Sequence, residues 1–88
     1  MNILKNACAG TMESSDAYVE IEPGTTLSIH IESIVKKQFG DKIELAVREV
    51  LAEQGVGNAT VRVMDRGALD CVIRARVEAA VKRSGGEV

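Results

Sequence analysis

Aromatic side chains are nearly absent. Tyr18 and Phe39 are the only two, 2% of the chain, and there is no tryptophan. Nothing offers a platform for stacking single-stranded bases. An excess of positive charge is missing too: 11 Lys and Arg stand against 13 Asp and Glu, for a net charge of −2. A nucleic-acid footprint is basic, so that class of partner is excluded. Histidine occurs once, as His30, and cysteine twice, as Cys8 and Cys71, far apart and without Cys-x-x-Cys. No zinc signature can be assembled from that set, and no metal is expected. Two cysteines do not make a disulfide framework in so small a chain. Two reduced, partly buried thiols are expected. No apolar run approaches the roughly 20 residues that span a bilayer. Met1–Lys5 is too short for the apolar part of a signal peptide. A cytoplasmic protein with no membrane contact is expected. Gly55-Val56-Gly57 lacks the third glycine and the Lys-Ser/Thr of a phosphate loop.

What remains is an aliphatic core in 88 residues. One domain is expected over 1–88, with 1–6 and 84–88 flexible. A chain of this length buries roughly 60–65% of its unfolded surface. That is enough for one thin core and too little for a deep substrate pocket.

The hydrophobic pattern begins at period two. Ala7–Glu13 is small and apolar and reads as a strand, with Gly10 marking a bulge or a close backbone approach. Ser14-Ser15 is the turn. Tyr18–Glu22 alternates, with Val19 and Ile21 on one side. Pro23-Gly24 fits a type II turn. Leu27–Glu32 alternates again, with Leu27, Ile29 and Ile31 inward. Three strands joined by two short turns predict an antiparallel meander.

At Ser33 the period becomes helical. Val35, Phe39, Ile43, Ala46, Val47, Val50 and Leu51 fall on one face. Gly40 interrupts them, and Asp41 with Glu44 has the form of a capping box. The spacing predicts a short helical turn near 33–39, then the main helix from Asp41 to Gln54, closed by Gly55 in the left-handed conformation. Ala59–Met64 reads as a fourth strand, Asp65-Arg66-Gly67 as a turn and Ala68–Arg83 as the second helix. The predicted fold is α+β: a two-layer sandwich in the order β-β-β-α-β-α, a mostly antiparallel four-stranded sheet with both helices on one face. The pattern leaves open where the fourth strand inserts. If the third and fourth strands are parallel neighbours, the helix between them makes a right-handed crossover.

On the second helix, Asp70, Arg74, Glu78 and Lys82 form an i,i+4 stripe of alternating sign, the solvent face. Leu69, Val72, Ile73, Val77 and Ala80 oppose it, and Arg76 falls in their midst. An unpaired charge there is costly. Three readings fit: a snorkelling stem, a bidentate pair with a carboxylate of the Glu13–Asp16 turn or Asp65, or a phosphate contact.

Ser14 has no apparent activating base, since His30 occupies a solvent-facing strand position. It is either a plain turn former or an acceptor modified by an enzyme that brings its own base. A stand-alone enzyme is not indicated, and no catalytic residue is assigned.

Two segments, Ala9-Gly10-Thr11-Met12-Glu13-Ser14-Ser15-Asp16 and Arg66–Ala79, with Val35–Asp41 between them, resemble the acyl carrier (gamma) subunits of citrate lyase. The resemblance spans nearly the whole chain. It implies a phosphoribosyl-dephospho-coenzyme A group joined by a phosphodiester to Ser14, with acetyl and citryl thioesters on its thiol. It implies as partners an alpha subunit that exchanges the acyl group, a beta subunit that cleaves citryl thioester to oxaloacetate, and an enzyme that attaches the group. Ser15 directly follows Ser14 and is a rival acceptor. The carrier subunit of malonate decarboxylase is the alternative within the same kind of chemistry, and a small non-covalent interaction module the alternative outside it. Glu13 and Asp16 make the turn acidic, which is expected to hold a phosphate-rich arm away from the domain.

Overall fold

The computed structural model describes residues 3–34 and 36–85, without the side chains of 36–39. Val35 and the side chain of Phe39, both expected on the helical apolar face, lie outside the described part. So do residues 1–2 and 86–88. The order is β1 (Ala7–Gly10), β2 (Ala17–Glu22), β3 (Leu27–Ser33), α1 (Lys36–Glu53), β4 (Ala59–Asp65) and α2 (Asp70–Ser84). This is the predicted α+β sandwich.

The meander is not what forms. The sheet order is β1-β2-β4-β3. β4 enters between β2 and β3, antiparallel to the first and parallel to the second. The expected type II turn at Pro23-Gly24 is absent for the same reason: β2 and β3 do not pair, and Gly24 has no positive φ. A side chain at Gly24 would press on the start of β4, with a Cβ 3.2 Å from the Thr60 hydroxyl. The central position of β4 accounts for its composition. Ala59, Val61 and Val63 are fully buried, and β-branched residues suit a strand flanked on both edges.

Val19, Ile21, Val61 and Val63 form the sheet side of the core, and Val47, Leu51, Val77 and Val81 the helix side. Leu27, Ile29 and Ile31 on the edge strand β3 are partly buried against it. Arg83 donates to the Cys8 carbonyl at 2.7 Å, which occupies an acceptor on the edge strand β1. Ile3 is buried, and the Leu4 and Lys5 amides donate to the Ser84 carbonyl at 3.0 and 3.2 Å. The expected flexible lead-in and tail thus meet at residues 3–5 and 84.

Gly40 does not break α1, and Asp41 lies inside the helix rather than capping it. An interior glycine costs about 1 kcal/mol; burial of Ile43, Ala46, Val47, Val50 and Leu51 outweighs it. The C-terminus closes as predicted. Gly55 has φ +71, its amide donates to Ala52, and the Val56 amide donates to Leu51. That is a Schellman arrangement with its usual apolar contact position filled by buried Val56.

On α2 the predicted stripe pairs as Arg74–Asp70 and Lys82–Glu78, at 2.6 and 2.9 Å. Arg74 also reaches Glu49 on α1, and its pKa is raised chiefly by that bond. Leu69 departs from expectation. It is 71% exposed at the N-cap of α2. The helix starts at Asp70 because the Asp65 carboxylate captures the Ala68 amide at 2.8 Å.

Candidate functional site

The site is the connection between β1 and β2. β1 ends at Gly10 rather than running to Glu13, and the loop takes 11–16 rather than two residues. Gly10 turns the chain out of the sheet with φ +95. A Cβ there would sit 1.8 Å from the Ala17 carbonyl oxygen and 3.1 Å from the Arg76 stem. Only glycine fits that close approach.

Within the loop, the Asp16 amide donates to the Glu13 carbonyl at 3.2 Å, so Ser14 and Ser15 are the central pair of a β-turn. Ser15 is the only described non-glycine residue with positive φ, at +67. Its amide donates to the Arg66 carbonyl at 2.8 Å, and the Arg66 amide to the Asp16 carbonyl at 2.9 Å. Just past the strand ends Arg66 thus opposes both Ser15 and Asp16, one residue against two, and these bonds pin the turn to the segment after β4.

Asp16 is the hub. It accepts from the Thr11 hydroxyl at 2.7 Å and from the Ala17 amide at 2.7 Å. Arg76 adds a bidentate pair, Nε to Oδ1 at 3.0 Å and Nη2 to Oδ2 at 2.9 Å. Of the three readings of Arg76, the pair with a turn carboxylate is the one that forms. The Arg76 bond above all, then those of Thr11 and Ala17, lowers the Asp16 pKa from 3.8 to about 2. Thr11 also accepts from the Glu13 amide at 3.2 Å, so one hydroxyl braces both sides of the turn.

Ser14 is exposed, and its hydroxyl has no hydrogen-bond partner among the described residues. No hydrogen bond joins it to a base among the described residues. Asp16 is saturated and strongly held as an anion. His30 pairs in register with Arg62, four residues before Arg66 along β4, or about 13 Å at 3.3 Å per residue. No group of His, Cys, Asp or Glu suited to a metal occurs among the described residues. A hollow of about 380 Å³ opens between the helices beside Ile43, Leu69 and Ile73. Its acids are already engaged, Asp65 with Ser33 and Ala68, and Asp70 with Arg74. The arrangement presents the Ser14 hydroxyl to solvent.

Both cysteines are exposed, not partly buried as expected. Cys8 falls on the open sheet face beside Tyr18, and their hydrogen bond is the first cause of a raised Tyr18 pKa. No helix among the described residues is long and apolar enough to cross a membrane. Sequence reasoning did not single out Thr11 or the backbone of Arg66. Thr11, five residues before Asp16, carried a weak signal, because threonine hydroxyls bond nearby backbone in turns. The Arg66 contact carried none.

A protein-family model described as "ACP: Malonate decarboxylase delta subunit (MdcD)" matches residues 4–84. The citrate lyase acyl carrier protein of Haemophilus influenzae strain PittGG is 54% identical over 88 residues, covering 100% of this chain and 93% of that protein. That of Escherichia fergusonii is 55% identical over 86 residues, covering 96% and 89%. In fold, the chain is similar to one in the crystal structure of a Pseudomonas malonate decarboxylase hetero-tetramer in complex with malonate. The TM-score is 0.83 at 24% identity, covering 97% of this chain and 89% of the other. The chain belongs to the family of citrate lyase acyl carrier proteins.

Proposed function

We propose that the chain is the acyl carrier subunit of a citrate lyase and that Ser14 anchors phosphoribosyl-dephospho-coenzyme A through a phosphodiester. The observation that carries this reading is the unpartnered, exposed hydroxyl at the centre of a turn that four hydrogen bonds to Asp16 hold in shape. The residues fit such a group. Asp16, one of the two carboxylates of the turn, is matched by Arg76, so a phosphate on Ser14 meets less repulsion than the acidic sequence of the turn suggests. When bound, the group supplies a thiol on a long arm for acetyl and citryl thioesters.

The chain's own residues do the rest. Gly10 and Asp16 set where the turn projects. Arg76 ties it to α2, so a pull on the arm is borne by the core. Tethering makes substrate delivery intramolecular, at effective concentrations of order mM. The partners in this reading are the alpha and beta subunits of the lyase and the attaching enzyme, which supplies the base that Ser14 lacks. The setting is cytoplasmic.

The second reading, a malonate decarboxylase carrier, is favoured by the family description and the shared fold. Identity of 54–55% to citrate lyase carriers supports the first.

Intact mass of the protein co-produced with its attaching enzyme tests the assignment. A gain matching the group in the wild type and Ser15→Ala, absent in Ser14→Ala, is expected. A gain that survives Ser14→Ala moves the anchor to Ser15. No gain with a demonstrably active attaching enzyme leaves a non-covalent interaction module.

A further inference from the structure

We propose that Arg66 receives the phosphate carried by Ser14 and is the binding residue for the first link of the arm; this rests on the reading of Ser14 given above. The backbone places it there. The Arg66 carbonyl accepts from Ser15 and its amide donates to Asp16, at 2.8 and 2.9 Å. Residues bonded across such a ladder have Cα atoms about 5 Å apart. An arginine stem is longer than that separation, and Ser14 is one residue from the bonded pair.

The charge inventory selects Arg66 among the arginines. Arg48 is paired with Glu44, Arg74 with Asp70 and Glu49, and Arg76 with Asp16. Arg83 is bonded to the Cys8 carbonyl. Arg66 is exposed and makes no ion pair among the described residues. Asp16 does not compete for it, because Thr11, Ala17 and Arg76 already fill that carboxylate. Glu32 borders the same small hollow as Arg66, and no ion pair joins them. Arg62 is the other exposed arginine without an ion pair among the described residues, and it lies four residues back along β4, opposite Glu20 and His30. A guanidinium matches two phosphate oxygens at once, and such charge-assisted pairs are about twice as strong as neutral ones. Arg66 thus neutralises the diester next to Glu13 and fixes the root of the arm, leaving its distal part free.

The test compares arginine side-chain Nε–H signals of the wild-type protein without and with the prosthetic group, loading being verified by intact mass. The Arg66 signal is assigned from its loss in bare Arg66→Lys protein. The expected result is a shift and slowed exchange of the Arg66 signal on loading, with the Arg62 signal unchanged. An Arg66 signal identical in the two forms overturns the proposal while leaving Ser14 as the anchor. Absence of any mass gain in the wild type instead removes the reading beneath it. The phosphorus resonance of the loaded protein gives a second measure. Its movement with added salt, as the pair is screened, should be lost in Arg66→Gln and kept in Arg62→Gln. Equal salt dependence in both variants counts against Arg66.

Discussion

Asp16 and Arg76 lie 60 residues apart and share two hydrogen bonds, of 3.0 and 2.9 Å. One belongs to the loop that exposes Ser14, the other to the middle of α2. Their pairing resolves the oddity of an arginine among Ile73, Val77 and Ala80. The guanidinium is the point at which the core grips the loop.

Arg76→Met keeps the packed stem and removes the grip. The thermal midpoint should fall, since Asp16 is left without its main partner. The rate of prosthetic-group attachment at the proposed anchor Ser14 should fall several-fold at temperatures where the variant is fully folded. Attachment at the wild-type rate by a folded Arg76→Met protein would mean that the pair serves stability alone.

The same pair sets a pH dependence. The Asp16 pKa is about 2 in the folded protein against an ordinary 3.8. A carboxyl depressed by folding contributes stability that is complete above its unfolded value and lost as pH falls through its folded value. The difference in urea midpoint between wild type and Asp16→Asn should therefore be constant near neutrality and close between pH 3.8 and about 2. A difference that does not change with pH would sink this account.

Two glycines should respond oppositely to alanine. Gly10→Ala places a methyl group 1.8 Å from the Ala17 oxygen at φ +95 and should cost about 3 kcal/mol or more. Gly57 has open space around its Cβ position and no positive φ. Gly57→Ala should stabilise by about 0.4–1 kcal/mol, through the unfolded state. Denaturant titrations of the two variants measure both.

Asp65 is 2% exposed and holds three elements together. It accepts from Ser33 at the end of β3 at 2.7 Å and from Ala68 before α2 at 2.8 Å. Asp65→Ala should destabilise by about 2–4 kcal/mol, because it leaves the Ala68 amide without its acceptor and breaks the Ser33 bond. Denaturant titration gives the size. Faster hydrogen exchange at Ser15, whose amide bonds to the adjacent Arg66 carbonyl, would show that the turn loosens with it.

Local signals were legible in the amino-acid sequence wherever neighbours in the chain decide the outcome. Alternation in β2 and β3, the helical period of α1 and α2, the Gly55 cap, the charged stripe of α2 and the solvent-facing His30 all depend on side chains two to four residues apart. The serine turn was legible for the same reason, and its likeness to citrate lyase carriers marked Ser14 within it. Long-range pairing was not. Whether β4 lies beside β1, β2 or β3 depends on which edges bury Val61 and Val63 on both flanks, and no short window holds that information. Gly40 and Asp41 carried a true local preference for a break, which core burial along α1 overrode. The partner of Arg76 was one of three until the tertiary structure brought Asp16 to it, because a charge among apolar residues announces only that a partner is needed. The contact of Arg66 with the turn is backbone to backbone and depends on no side chain, so the residue type left no trace of it. The sequence determined the elements, the core and the exposed serine; the tertiary structure decided what braces the serine turn and which backbone segment it is pinned to.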